Sequence, residues 1–374
     1  MELIIDGNAF INVAMSVTKS MDAINHRTEV IYYTKDLFKD EYRLLERFEN
    51  KFRDFSLIYL NSMLAPLGSN LSGVHIVFDS PSWRKKYIES FFEKTEFTKS
   101  GPVEFTYKSG RKYDDYQYLF FNYFYQKLIP ALEKCKVQWY SATGAEGDDI
   151  IAHLCETIPN DIMIYSVDKD LKQLVSSIDK NIILIMPKQQ SPHKKIFVSS
   201  NGLLIHESKV ENDFFSLDEM KPATSPVESI ISSFVNKDYV KYETGQIVEI
   251  FNKICLGDKS DKIPKIFKMS PIKVEKIINS LLEEFGDDLL SKLDSLNEEF
   301  ITYFVDQIVI VNKITDPVKI GELREHLVFN IKITRLASSV FPEELQNNLK
   351  KLLVETSVFN IKEFTNFKNN PELI

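Results

Sequence analysis

Three short apolar runs in the chain each end on acid. "ELIID" closes on Asp6, "VHIVFD" on Asp79, and "IMIYSVDKD" on Asp168 and Asp170. A fourth run, "NIILIMP", has the same Ile-rich character without the acids. Continuous apolar stretches of this length, separated by long segments of helical spacing, predict parallel strands of an α/β sheet covered on both faces. Ligands of such sheets bind beyond the carboxyl ends of the strands, and all four aspartates fall at that edge.

The helical segments follow from their own periods. In "TGAEGDDIIAHL", Thr143 and Glu146 have capping-box spacing, which predicts a helix starting near Gly144 with Ile150, Ile151, Leu154 and Ile158 on its buried face. Glu146, Asp148 and Asp149 occupy its first turn. Carboxylates suit the positive end of a helix, but that need accounts for only one or two of them. Tyr116, Phe120, Tyr123, Phe124, Lys127 and Leu128 also keep helical spacing and read as core. Residues 81–112 are less periodic and more basic, with Trp83, Tyr87, Phe91, Phe92, Phe97, Phe105 and Tyr107 interleaved, a composition suited to gripping a single strand of nucleic acid. The stretch "ICLGDKSDKIPKIFKMSPIKVEKIINSL" runs from a helix end through Gly257 and an acidic turn bearing Asp258 and Asp261. A Pro264 to Pro271 connection then leads to a second helix, which makes a helical hairpin. Residues 282–374 are Leu-rich with helical spacing, and residues 199–240 are polar and irregular, as expected of an insertion.

Composition narrows the chemistry. With 374 residues, 44% of them hydrophobic, the chain can bury a large core in two or three subdomains. No stretch reads as a membrane span or a secretory signal, so a cytoplasmic setting is expected. Three cysteines without a CxxC pair argue against disulfides and cysteine zinc sites, and six scattered histidines offer no HExxH pair.

Carboxylates dominate what remains. Asp6, Asp79, Glu146, Asp148, Asp149, Asp168, Asp170, Asp258 and Asp261 make nine acids aimed at one cleft, where empty they would repel and raise one another's pKa. Hard divalent cations resolve that conflict, and because Mg²⁺ takes only one or two carboxylates each, two ions are expected, with Mn²⁺ as a substitute. Two such metals about 4 Å apart activate water and stabilise the leaving oxygen of a phosphodiester. The sequence offers no serine–histidine or cysteine–histidine pair, so hydrolysis by a metal-bound water is the reaction inferred. With the nine acids set aside, the formal net charge of −8 becomes about +1. The bases are also clustered, at Arg84, Lys85 and Lys86, at Lys108, Arg111 and Lys112, at Lys194 and Lys195, and at Lys259, Lys262, Lys265, Lys268 and Lys273 along the hairpin. Such a hairpin can hold a phosphate backbone without reading sequence.

The ordered motifs "VFDS" with "WRKKY", "AEGDDIIA", "SVDKDLKQL" and "LGDKSDKIP" resemble those of the 5′-nuclease (flap endonuclease) superfamily, and "SWRKKY", "PHKKIFV" and "GDKSDKI" favour its phage branch of ribonuclease H-type 5′ to 3′ exonucleases. The resemblance runs from residue 1 to about 280. It implies a parallel-sheet, PIN-like nuclease core over residues 1–250, with a helical arch at about 81–112 and an insertion at about 199–240. A helix-three-turn-helix that binds duplex would follow at 251–285, and a helical C-terminal region at 286–374. Asp79, Glu146, Asp148, Asp149 and Asp168 would surround the first metal with Asp6 near it, while Asp170, Asp258 and Asp261 would hold the second. Arg84 and Lys94 would act on the scissile phosphate. "KMSPIK" lacks the glycine-rich turn that holds K⁺ in the family, which leaves a K⁺ ion there unsupported. The implied activity is Mg²⁺-dependent exonuclease and flap endonuclease action on RNA primers and 5′ flaps during replication. The chain would be a monomer in the host cytoplasm, and a single-strand DNA-binding protein, helicase loader or sliding clamp would be a fitting partner. A silent flap- or fork-binding scaffold and a PIN-type ribonuclease are the alternatives. The intact acids speak against the first, and the lysine-bearing hairpin speaks against the second. The tail "VFNIKEFTNF" is aromatic enough to dock on a partner or to pack on its own domain.

Overall fold

The computed structural model describes residues 1–23, 31–36, 41–64, 67, 71–94, 115–187, 194–200, 203–210, 241–258, 261, 263–352 and 358–374. Strands are β1 (Glu2–Asp6), β2 (Tyr33–Asp36), β3 (Glu41–Leu44), β4 (Gly73–Val77), β5 (Val137–Tyr140), β6 (Ile162–Tyr165), β7 (Ile182–Pro187), β8 (Lys194–Ser200), β9 (Leu203–Val210) and β10 (Lys241–Gly245). Eight of them form one sheet in the order β10-β9-β8-β7-β6-β1-β4-β5, and β2 and β3 pair separately. From β5 to β7 all neighbours are parallel, and β8, β9 and β10 continue antiparallel. The fold is therefore α/β with a mixed, mostly parallel sheet.

The four apolar runs became β1, β4, β6 and β7, the contiguous centre of the sheet. Within β1, Leu3 and Ile5 enter the core on one face and Ile4 the core on the other, each fully buried. Burial on both faces is why these strands read as unbroken apolar runs. Strand β5 escaped that reading because it is an edge strand, "VQWY", in which only Val137 and Tyr140 are buried. Part of the presumed insertion is also regular: residues 203–210 form β9, and residues 211–240 lie outside the described part of the chain.

Helices α1 (Gly7–Ala23), α2 (Glu46–Leu64), α4 (Tyr118–Tyr123) and α5 (Ile129–Lys134) cover one face of the sheet, after α3 (Trp83–Lys94) has left the end of β4. A π-helical turn, Phe124–Leu128, joins α4 to α5 and keeps Phe124 and Leu128 in the core, as their spacing predicts. Helix α6 (Gly147–Thr157) covers the other face. A third core lies among α7 (Gln246–Leu256), α8 (Pro271–Phe285), α9 (Leu289–Asp294), α10 (Glu298–Asn312) and α11 (Pro317–Thr334). Ser270 caps α8 with Pro271 at its first position, the arrangement a proline-started helix favours.

The C-terminal region is helical but is not a unit apart. Leu336, Val340, Phe341 and then Leu345 and Leu349 of α12 (Glu343–Leu349) pack beside α6, whereas Phe359 and then Phe364 and Phe367 of α13 (Ile361–Asn369) join the core on the opposite face. The backbone locks this second contact, with Asn360 N–H donating to the Cys135 carbonyl at 2.8 Å. The aromatic tail thus packs on its own sheet. Among the described residues, no helix is long and apolar enough to cross a membrane.

Phe364 has no exposed surface, so Phe364→Ala should cost about 3–5 kcal/mol in urea denaturation. Lys362→Ala, at an exposed position on the same helix, should stay within about 0.5 kcal/mol.

Candidate functional site

Asp6 ends β1 and is held by two donors, the Ala9 N–H at 2.9 Å and the Ser166 hydroxyl at 2.7 Å. Ser166 follows β6 and in turn accepts the Asp168 N–H at 3.0 Å, so the ends of adjacent strands are tied together. Asp79, just past β4, accepts the Asn8 amide at 2.5 Å and the Gly147 N–H at 2.6 Å. Gly147 opens α6, and a side chain there would start 3.0 Å from an Asp79 carboxylate oxygen, so glycine is what allows the strand end and the helix end to meet.

The helix start differs from the expectation. Helix α6 begins at Gly147 with Glu146 as its cap, and the side chain of Asp149 accepts the Glu146 N–H at 3.0 Å. The capping pair is therefore Glu146 with Asp149, three residues later than Thr143 with Glu146. A turn closed by the Ala145 N–H on the Ala142 carbonyl, with Gly144 at φ +84°, uses up the residues in between.

Crowding is visible in the acidities. Burial, then the charges of Asp79 and Asp168, push the Asp6 carboxyl up to about 6 despite its two donors. Burial, then Asp168, Asp6, Glu146 and Asp79, hold Asp148 well above the usual carboxylate range. Asp168 is raised by burial and by Asp170, whose own N–H donates to Asp168 at 2.8 Å. These mutual effects join Asp6, Asp79, Glu146, Asp148, Asp168 and Asp170 into one electrostatic group.

Arg84 does not stand free for a phosphate, which corrects its reading as a scissile-phosphate contact. It is 4% exposed, and its guanidinium donates to Glu146 at 2.9 Å and to both oxygens of Asp149 at 3.0 and 2.6 Å, while its Nε donates to the Ile333 carbonyl at 3.1 Å. The Trp83 indole adds a donor to Asp149 at 3.2 Å. Burial raises the Asp149 carboxyl, and Arg84 draws it part of the way back. Two aromatic side chains of α3 are likewise occupied: the Tyr87 and Phe91 rings stack on Phe329 of α11, with centroids 5.6 and 3.9 Å away. They are core rather than a platform for bases. Lys85 and Lys86 on α3 are exposed, and the Lys94 side chain and residues 95–114 lie outside the described part of the chain, so the upper arch does too.

The second acidic group is built by a turn. Gly257 ends α7 at φ +71°, where a Cβ would lie 2.4 Å from the Ile263 carbonyl. Asp258 and Ile263 then exchange backbone hydrogen bonds at 3.0 and 2.8 Å, closing the loop that carries Asp258 and Asp261. Into this loop reaches Lys253, a residue that sequence reading passed over. Its ammonium donates to Asp170 and to Asp261, the latter at 3.1 Å, and stands 3.7 Å from Asp258. Burial favours loss of its proton, but Asp170 and Asp261 outweigh that and hold it firmly protonated. The signal available in the sequence was only a lysine in the last turn of a helix, where cations are common.

Of the hairpin lysines, Lys265 and Lys268 are exposed, and Lys259 and Lys262 lie outside the described residues. The Lys273 ammonium donates to the Lys268 carbonyl at 3.0 Å and to Asn312 at 2.7 Å, so it braces the turn from a half-buried position.

A cleft lined by Arg84, Asp148, Asp168, Asp170, Lys253 and Asp261 joins the two groups. Its donors are carboxylate oxygens, the chemistry hard divalent cations require. Among the described residues, however, no three acidic, histidine or cysteine side chains converge as they stand on a point where one ion would sit. Arg84 and Lys253 take up oxygens of Glu146, Asp149, Asp170, Asp258 and Asp261 instead.

Comparison with known proteins agrees with the motifs. Residues 58–202 match the family model described as 5′-3′ exonuclease, N-terminal resolvase-like domain, which bears out the resemblance over that segment. Similar solved structures include the bacteriophage T5 5′-exonuclease with bound zinc (14% identity, 94% of this chain and 97% of that one, TM-score 0.44). The T5 flap endonuclease in a complex with DNA and metal ions is another (12% identity, 98% and 99%, TM-score 0.45). The catalytic core of Rad2 with a DNA substrate is a third (12% identity, 99% and 87%, TM-score 0.33). No curated protein matches the chain.

Because the folded Asp6 carboxyl titrates near 6 against an ordinary 3.8, the folded state binds more protons between those values. The Asp6 contribution to the stability of the metal-free protein is therefore fully present below about pH 4, is lost as pH rises to about 6, and levels off above. Thermal melts across pH 4–7 should show the unaltered metal-free chain losing stability relative to Asp6→Asn as pH rises. Arg84→Met should cost about 3–5 kcal/mol at pH 7 by leaving Glu146 and Asp149 buried without their cation, with part of the loss recovered at pH 5.

Proposed function

Taking as premise that residues 58–202 carry a 5′-3′ exonuclease domain, we propose that the protein is a divalent-metal-dependent 5′ nuclease. It would hydrolyse phosphodiesters at 5′ flaps and at the 5′ ends of RNA primers during DNA replication. The observation that supports this reading is a cleft where carboxylates from strand ends and the start of α6 meet Asp170 and Asp261 around Lys253, beside a lysine-bearing helical hairpin.

Each set of residues has a distinct task. Asp6, Asp79, Asp148 and Asp168 would hold one ion, with Glu146 and Asp149 behind them fixed by Arg84. Asp170, Asp258 and Asp261 would hold the other. When bound, such ions lower the pKa of water and stabilise the leaving oxygen, with Mg²⁺ as the natural occupant and Mn²⁺ as its substitute. The donors around Asp6 and Asp79 orient those carboxylates before any ion arrives, as second-shell hydrogen bonds do in metal sites. Lys85 and Lys86 on one side and Lys265 and Lys268 on the other are exposed cations. They would grip phosphates without reading bases, so cleavage should depend on strand structure and salt rather than on sequence.

The test uses the full chain on a labelled 5′-flap substrate. Cleavage near the flap junction is expected with Mg²⁺ and none with EDTA, and Asp168→Asn should lower the rate by ~100-fold or more while still binding the flap. Binding without cleavage by the unaltered chain would favour a scaffold, and equal cleavage in EDTA would end the metal-dependent reading.

A further inference from the structure

Lys253 holds a position that a metal site does not need. Its ammonium stands among Asp170, Asp258 and Asp261, the three carboxylates assigned above to the second ion, and the side chain is largely buried. A lysine placed only to bind phosphate would leave its charge facing the cleft. This one is instead surrounded by the ligands themselves. We propose that Lys253 is an internal stand-in for the second divalent cation: it holds Asp170, Asp258 and Asp261 together in the metal-free protein, and an ion enters this triad only as the ammonium swings out. The inference rests on the metal-binding role given to these acids in the proposed function.

Three features of the site support an exchange rather than a fixed pair. First, an ammonium on a flexible four-carbon stem can leave a site that a planar guanidinium would hold by its fork, and the chain puts Arg84 at the permanent pair and Lys253 here. Second, there is room to move. Lys253 lines both the acidic cleft and a neighbouring cavity of about 300 Å³ whose lining includes Lys172, Glu249 and Asn252. Glu249 lies one turn earlier on α7, at the spacing at which a glutamate and a following lysine attract one another. Third, the backbone places each acid: Asp258 and Asp261 sit on the turn closed by the Asp258–Ile263 bridge and Gly257, and the Asp170 N–H is anchored on Asp168, so the acids stay in place when the ammonium departs. The two occupants are mutually exclusive: one positive charge and three carboxylates leave the triad negative, and a divalent ion neutralises it further at the same oxygens.

The consequence is a binding equilibrium in which the ion competes with a residue of the chain. Lys253→Met, which keeps length and removes charge, should tighten binding of the weaker Mn²⁺ ion by ~10-fold or more, the scale expected when a buried opposite charge no longer has to be displaced. The same variant should melt at a lower temperature than the unaltered chain without metal and regain that loss in Mn²⁺. Calorimetric titration with Mn²⁺ alone and thermal melts read both effects without any substrate. A second measurement covers a variant that fails to fold. The lysine ammonium signals of the unaltered chain, with that of Lys253 identified by its absence in Lys253→Arg, should include one protected from solvent exchange that shifts or disappears on saturation with Mg²⁺. Equal or weaker Mn²⁺ binding in Lys253→Met, an ammonium signal unmoved at saturating Mg²⁺, or no divalent binding by the unaltered chain would each overturn the proposal. Failure of the nuclease reading looks different: the exchange would be seen in full on a chain that cuts no flap.

Discussion

Mutual repulsion among buried carboxylates is the constraint around which this molecule is built. Unpaired, Asp149 with no exposed surface and Glu146 beside it would be intolerable in a folded protein. The chain meets this with two internal cations placed where the crowding is worst. Arg84 pairs with Glu146 and Asp149, and Lys253 with Asp170, Asp258 and Asp261. The acids left between these pairs, Asp6, Asp148 and Asp168, have raised carboxyls, and so does Asp149 despite its Arg84 partner. A buried ion pair rarely adds net stability over an apolar replacement, so retaining both pairs at one cleft points to function.

The same charges explain how the helical part is attached to the sheet. The end of α11 supplies carbonyls and side chains to both. Ile333 accepts Arg84, Thr334 accepts Gln173 at 3.2 Å, and Asn330 donates to the carbonyls of Ile254 and Pro264 at 2.7 and 2.8 Å. Arg335 then links Gln173 at 3.0 Å to Asp294 at 2.6 and 2.9 Å. Gln173 follows Asp170 in the short turn after β6, and Ile254 follows Lys253 on α7, so each of these bonds lies next to a residue of the acidic cleft. The cleft is a seam closed by these polar contacts together with the small apolar cluster of Ile88, Ile263, Phe329 and Ile333.

What could be read from the chain, and what could not, divides along this line. Asp6, Asp79, Asp168 and Asp170 were legible because strand ends are marked by their own apolar runs, and β1, β4, β6 and β7 are buried on both faces. Asp258 and Asp261 were legible because Gly257 and the prolines bracket a turn. Their counter-ions were not, since Lys253 looks like any lysine in a final helical turn and Arg84 like the first of three bases on an exposed helix. Which charge is buried is decided by Phe329 and Ile333, more than two hundred residues away from Arg84, and no local period carries that information. Strand β5 was missed for a related reason: at a sheet edge, Gln138 and Trp139 need not be buried, so the run is broken.

The placement of α3 shows how the two kinds of information combine. Its sequence alternates aromatic and basic residues, which read alone suggests a surface that stacks bases. Tyr87 and Phe91 instead lie on Phe329, Ile88 is buried beside Ile333, and Arg84 is drawn inward to Asp149, so one side of the helix is fixed to α11 and to the acids. That leaves Lys85 and Lys86 as the positions facing out, on a helix whose orientation is set by three independent contacts. A cation on so constrained a helix is held at a defined distance from the carboxylates, whereas one on a free loop would not be. The aromatic residues therefore fix α3 in place, and the same packing ties the helix to the buried Arg84 pair through a single helical turn.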